Sequence, residues 1–254
     1  MLKEKIANRE RLIGTQINLT DTASSKIAGC AGYDFAWIDG EHTYLSYENI
    51  LNHINTLKAT GTPCIVRVPD DDLTFTKKVL EMGPDGILFP MIRNAEQAKR
   101  LISYTLYPPL GERGIGPNNA INYGMTNIHE YVKDNTDSFC RLVQIEQVSM
   151  LEELEEIAKI PYLDGFVFGP FDFMLTLGLK GSIYSDEEAE LIKQVTDRVH
   201  ACGKAVGLII SSYGDWEIEH WKKLGIDFIS AGSDYEYIKN CNIANKETLQ
   251  RLWK

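Results

Sequence analysis

Four short strings hold the residues that could carry chemistry: WIDGEH (37–42), VRVP (66–69), VQIE (143–146) and FGPFD (168–172). Each ends an apolar, strand-like run. Glu146 and Asp172, on successive strand ends with Gln144 nearby, form a hard-oxygen pair suited to Mg²⁺ or Mn²⁺ with waters retained, more than to zinc. Two carboxylates alone would leave coordination positions open for an α-keto acid. The same pair could instead share a proton or join a salt bridge. His42 lies three residues after Asp39, a spacing at which a carboxylate can orient an imidazole and raise its basicity for general-base work. Glu41 is the other candidate partner. Arg67 presents a planar cation that could hold an enolate or carboxylate oxygen through two parallel hydrogen bonds, or pair with a neighbouring strand.

These residues need elements that bring them together. Short β-rich runs recur eight times: 12–19, 35–39, 64–68, 86–91, 141–146, 165–169, 205–210 and 227–232. Most are continuously apolar, as expected for parallel strands covered on both faces. Helix-like segments lie between them. Residues 73–83 carry Leu73, Val79, Leu80 and Met82 on one side and Gly83 as a stop; 149–160 begin at Ser149 as a cap; 185–203 run from acidic residues to Gly203. The alternation predicts a single-domain (β/α)₈ barrel over residues 1–254, whose C-terminal strand ends form the functional face. An open doubly wound sheet is the other candidate, but no GxGxxG follows an early strand. The connection from Arg93 to Cys140 begins as a helix and continues through YPPLGERGIGPNNAINYG (107–124), which is read as irregular. Arg113, between glycines, points to an ordered turn there.

Bulk properties narrow the function. The formal net charge is -10, which argues against nucleic acid and anionic membranes as partners. The sequence has no apolar run long enough for a membrane span, and the charged N-terminus does not read as a signal peptide, so a cytoplasmic location is expected. The five cysteines lack a CxxC spacing, and Cys64 and Cys140 read as buried thiols. His53, His129, His200 and His220 are read as surface residues.

Taken together, the strings resemble the HpcH/HpaI aldolases, metal-dependent class II pyruvate aldolases of the phosphoenolpyruvate/pyruvate barrel superfamily. The resemblance rests on GYDFAWIDGEH (32–42), VRVP, KKVLEMGPDGILFPMI (77–92), YPPLGERGIGP (107–117), VQIE, LDGFVFGPFD (163–172) and CGKAVG (202–207), in order. It implies reversible aldol cleavage of a 4-hydroxy-2-oxo acid, such as 4-hydroxy-2-oxoheptanedioate or a 2-keto-3-deoxy sugar acid, to pyruvate and an aldehyde. Glu146 and Asp172 would ligate the metal (Mg²⁺ or Mn²⁺, with Co²⁺ as a further candidate). Arg67 would stabilise the enolate, and His42 with Asp39 would manage the proton through a water. Gln144 would hold a water, and the backbone around Gly169, Pro170 and Phe171 would receive the pyruvate carboxylate. Glu81, where the family often has Asp, would reach a neighbouring subunit's site. A hexamer built as a trimer of dimers, exchanging C-terminal helices, is implied as well.

Three departures bear on the substrate: Glu81 itself, Phe171 in place of a small residue, and Asp70-Asp71-Asp72 adding negative charge near the rim. The alternatives are a citryl- or malyl-thioester lyase or citrate-synthase-like enzyme on the same barrel, and a catalytically inactive barrel.

Overall fold

Eight parallel strands close into a barrel, each bonded to the next and the last to the first. They are β1 (Leu12–Ile17), β2 (Phe35–Asp39), β3 (Cys64–Arg67), β4 (Gly86–Phe89), β5 (Cys140–Ile145), β6 (Gly165–Phe168), β7 (Ala205–Ile210) and β8 (Phe228–Ser233). Around them lie α1 (Leu2–Ala7), α2 (Ala23–Ala31), α3 (Tyr47–Thr60), α4 (Leu73–Met82), α5 (Ala95–Ser103), α6 (Ile128–Ser138), α7 (Leu154–Ala158), α8 (Pro170–Thr176), α9 (Asp186–Ala201), α10 (Asp215–Lys223) and α11 (Asp234–Trp253). This computed structural model describes residues 1–178, 183–211 and 213–254.

The two-residue period of a strand explains how the site is delivered. Phe35 and Trp37 of β2, Ile65 of β3, Leu88 of β4 and Leu142 of β5 fill the barrel interior, with Leu2 and Ile6 of α1 packed against the same cluster. Continuing that inward alternation places Asp39, Arg67, Gln144 and Glu146 above the apolar layers, at the C-terminal mouth. The outward residues between them, such as Ile38, Val66, Val143 and Ile145, pack instead in the layer beneath the helices. Two glycines make room inside. A Cβ at Gly14 would lie 2.4 Å from the Phe35 ring, and one at Gly207 would lie 2.2 Å from the Phe228 ring.

The opposite end is closed by a pattern that sequence reading passed over. Asp34, Asp85, Asp164 and Asp227 immediately precede β2, β4, β6 and β8. Each donates its N–H to, and accepts the N–H of, a residue of the preceding strand: Ile13, Cys64, Arg141 and Val206 respectively, at 2.8–2.9 Å. The signal was an aspartate ahead of every second strand.

Several expectations need correction. Residues 149–160 are not one helix: a 3₁₀ turn over Val148–Glu153 precedes α7. Ser149 does not cap, because its hydroxyl donates to the Arg93 carbonyl at 3.1 Å. Leu73 is exposed, while Val79, Leu80 and Met82 bury the inner side of α4. The segment 107–124 ends in a 3₁₀ turn, Asn119–Gly124, within which Asn122 and Tyr123 adopt left-handed conformations. Only His129 is exposed as read. His53 is fully buried and shares a 2.7 Å hydrogen bond with Ser25, because it faces the α2 layer. His200 lies 2.8 Å from Asp227, and His220 packs among Tyr184, Trp216 and Trp221. Cys64 and Cys140 are buried inside the barrel wall, as their apolar neighbours implied.

Candidate active site

At the C-terminal mouth a cavity of about 560 Å³ opens, with Asp39, His42 and Phe171 among its lining residues. Arg67 rises from β3 beside Asp39. Its Nε and Nη2 donate to the two Asp39 oxygens at 3.0 and 2.8 Å, and its Nη1 lies 3.1 Å from Glu41 Oε2. Burial alone would raise the Asp39 carboxyl, but the Arg67 charge and hydrogen bonds more than offset it and hold Asp39 below its ordinary range. This geometry corrects two readings. Asp39 does not orient the His42 imidazole: its Oδ1 accepts from the backbone N–H groups of Glu41 and His42, and its carboxylate is closed on Arg67. The imidazole's neighbour is Glu41, at 3.7 Å. Likewise, the two-pronged face of Arg67 is occupied by Asp39, so only the Nη1 edge remains for a substrate oxygen.

Across the mouth, Glu146 follows β5 and is buried. It accepts from Gln144 Nε2 at 2.7 Å and from the backbone N–H of Met91, whose left-handed conformation (φ 56°) aims that group at the carboxylate. Asp172 sits in the first turn of α8, half-buried. Burial pushes Glu146 up to about 7; the Met91 hydrogen bond opposes this, while the charges of Glu41 and Asp172 add to it. Glu41 is pushed up to about 7 as well, by burial first, against the opposing Arg67 charge. Four carboxylates thus converge where Arg67 is the cation that opposes them.

That surplus of hard oxygen fits a divalent cation. Gln144 Oε1 is buried without a hydrogen-bond partner, and a Cβ at Gly169 would lie 2.7 Å from Gln144 Nε2 and 3.2 Å from Glu146 Oε2, so glycine keeps this cradle open. Among the described residues no group of three or more acidic, histidine or cysteine side chains is placed to hold a metal ion, so Glu146 and Asp172 would be the two side-chain ligands. The donor set therefore suits an ion that keeps water and substrate in its shell.

The carboxylate-binding turn is narrower than expected. The Gly169 N–H donates to the Ile145 carbonyl at 3.0 Å and Pro170 has none, which leaves the amides of Phe171 and Asp172 as the donors it can offer. Phe171 is exposed and lines the cavity. Glu81 and Arg113 are brought to each other, 3.7 Å apart, rather than to the mouth. Arg113 is buried over the Tyr107 ring and donates to Asn135 and the Leu80 carbonyl, while burial raises the Glu81 carboxyl. The three rim aspartates are engaged: Asp70 faces Arg93, Asp71 pairs with Arg100, and Asp72 caps α4. Sequence reading missed Gln16, Asn18, Tyr44, Ser211 and Glu236, all lining the cavity. Gln16 carried a signal, being polar at an inward position of an apolar strand. Glu236 carried none, since SDYE reads as a helix start.

Comparison with known proteins gives a consistent result. The family model described as HpcH/HpaI aldolase/citrate lyase matches residues 13–240. A 2-keto-3-deoxy-L-rhamnonate aldolase of Escherichia coli K12 is 31% identical over 91% of this chain and 86% of its own length. One from Salmonella typhi is 32% identical over 82% of this chain and 78% of its own. The crystal structure of an HpcH/HpaI aldolase from Desulfitobacterium hafniense superposes with a TM-score of 0.90, at 24% identity, over 99% of this chain and 97% of that one.

Proposed function

The chain belongs to the HpcH/HpaI aldolase/citrate lyase family and is an aldolase, a carbon–carbon lyase, and on that premise we propose that it reversibly cleaves a 4-hydroxy-2-oxo acid to pyruvate and an aldehyde. The observation that carries this reading is the convergence of Arg67, Glu146 and Asp172 at the C-terminal end of the barrel, with Glu41 and His42 beside them. Candidate substrates are 2-keto-3-deoxy sugar acids, the class named in the curated relatives, and 4-hydroxy-2-oxoheptanedioate.

Glu146 and Asp172 are the residues that would hold a divalent cation, Mg²⁺ or Mn²⁺ (Co²⁺ as a further candidate), and such an ion supplies Lewis acidity at the keto oxygen. The chain's own groups do the rest. Gln144 Oε1 accepts from a water near Glu146, and the Phe171 and Asp172 amides meet the carboxylate. As the C3–C4 bond breaks, its electron pair runs onto the pyruvyl oxygen, where the Nη1 edge of Arg67 stabilises the charge. His42, exposed and beside Glu41, takes the C4 hydroxyl proton through a water and returns it to C3. Asp39 acts through Arg67: it positions the guanidinium and stays ionised.

Oligomerisation belongs to the same reading. Ile13 on β1 is 59% exposed, and Ile243, Leu249, Leu252 and Trp253 lie bare along α11. An exchanged C-terminal helix in a hexamer would cover both. No helix among the described residues is long and apolar enough to cross a membrane.

The test is pyruvate release from a 2-keto-3-deoxy sugar acid and from 4-hydroxy-2-oxoheptanedioate, with Mg²⁺ or Mn²⁺ and after EDTA. Metal-dependent release from either substrate supports the reading; full activity after metal removal, or release from neither, refutes it.

A further inference from the structure

The cavity is much larger than pyruvate needs, and its second wall differs in chemistry from the first. In the closed barrel β8 and β1 lie across from β4 and β5, so residues from their ends face the Glu146 side from the opposite rim. Those residues are Gln16 and Asn18 from the end of β1 and Tyr235 and Glu236 after β8 at the start of α11, with Ser211 after the neighbouring β7. Asn18 Oδ1 is buried without a hydrogen-bond partner. Glu236 is only 8% exposed and lines the cavity.

The ordinary role for a glutamate at this position is a capping box, in which Ser233 and Glu236 would each take the other's backbone N–H. The start of α11 shows no such side-chain cap. Instead the Ser233 hydroxyl donates to Glu236 Oε2 at 3.2 Å, and Asp234 is spent on the amides of Asn18, Leu19 and Tyr235. The Glu236 carboxylate is thus positioned by Ser233 and left to the cavity. Among the described lining residues there is no lysine or arginine, and Arg67 turns its Nε and Nη2 onto Asp39, with its Nη1 edge assigned to the pyruvyl oxygen.

We propose that Glu236, with Gln16 and Asn18 beside it, is the specificity-determining residue for the aldehyde half. It accepts a hydrogen bond from a hydroxyl of an uncharged hydroxyaldehyde and repels aldehydes that end in a carboxylate. This rests on the aldolase reading above and chooses between its two candidate substrates: the sugar-acid product fits this wall, and the semialdehyde from 4-hydroxy-2-oxoheptanedioate does not. A buried acceptor built for a hydroxyl discriminates strongly against a partner lacking one, and a like charge in a desolvated wall discriminates further.

The experiment is aldol addition of pyruvate to glycolaldehyde, propionaldehyde and succinic semialdehyde, by wild type, Glu236→Gln and Glu236→Ala, each loaded with Mg²⁺. Glu236→Ala is expected to lower the glycolaldehyde-to-propionaldehyde ratio of kcat/KM about tenfold or more. Glu236→Gln, which removes the charge but keeps an acceptor, is expected to raise the succinic semialdehyde-to-propionaldehyde ratio by about tenfold while moving the first ratio less. Because ratios within one variant are compared, a merely structural role would lower all three aldehydes together and leave both ratios unchanged; that result overturns the proposal. Exchange of pyruvate methyl protons by wild type separates the two claims. Unchanged ratios in an enzyme whose wild type exchanges sink Glu236 alone; no exchange sinks the aldolase reading and this assignment with it.

Discussion

The two ends of this barrel both carry carboxylates set into the fold, and they use them in opposite ways. At the N-terminal end Asp34, Asp85, Asp164 and Asp227 each receive a main-chain amide from the strand before them, and Asp164 and Asp227 add Lys3 and Arg9 as partners. At the C-terminal end Glu41, Glu146 and Asp172 crowd around one arginine that Asp39 already occupies, and two of them are pushed up to about 7. Burial raises Asp164 too, against Lys3 and the Arg141 amide, so burial alone does not distinguish the ends. The distinction is the balance of charge: at one end each carboxylate is matched by a backbone amide of the preceding strand, while the other sets four carboxylates against Arg67 and leaves negative charge for a cation to offset. Stability belongs to the first arrangement and chemistry to the second.

Perturbing each end should therefore produce different losses. Removing divalent metal with EDTA should abolish pyruvate release, by about a thousandfold or more, with recovery on adding Mg²⁺ or Mn²⁺. Survival of activity would erase the contrast between the ends. Next, Arg67→Lys keeps a charge but loses the planar edge and should lower kcat/KM by about a hundredfold to a thousandfold. Arg67→Ala should also destabilise the fold by about 3–5 kcal/mol, because it strands the buried Asp39 charge; urea unfolding measures this. At the other end, Asp227→Asn should lower stability by about 1–3 kcal/mol in the same assay while leaving kcat/KM within error of wild type. A kinetic defect there would show that the two ends are coupled. Smallest of all, Phe171→Ala should shift the aldehyde KM a few-fold and leave the pyruvate KM alone, as expected for an exposed ring on the cavity wall.

The strand half of the molecule was legible because apolar runs of this kind have little freedom: each of the eight lies within two residues of its reading. Asp39, Arg67, Gln144 and Glu146 were legible for the same reason, since the inward alternation of a strand carries them to a common mouth. Pairings were less so. Asp39 is three residues from His42, yet it faces Arg67 across the β2–β3 register, a contact that spacing along one strand cannot reveal. Glu81 and Arg113 show the reverse. Both read as site residues, but their positions on α4 and on a long loop let them meet in the outer layer. The second wall of the cavity was hardest, because Asn18, Ser211 and Glu236 reach it from loops and a helix start, where no strand period applies. The four aspartates were missed for a simpler reason: each looks like an ordinary turn residue until the strand pairing shows what it holds.

The central claim is that Arg67, together with a divalent ion that Glu146 and Asp172 would hold, stabilises negative charge on a pyruvyl oxygen. Proton exchange into the methyl group of pyruvate, followed by NMR in D₂O without any aldehyde, tests that claim most directly. The account expects exchange with Mg²⁺-loaded wild type, none after EDTA, and exchange slowed about a hundredfold or more by Arg67→Lys. Exchange that persists after metal removal, or a metal-loaded wild type that leaves the methyl group untouched, would contradict it.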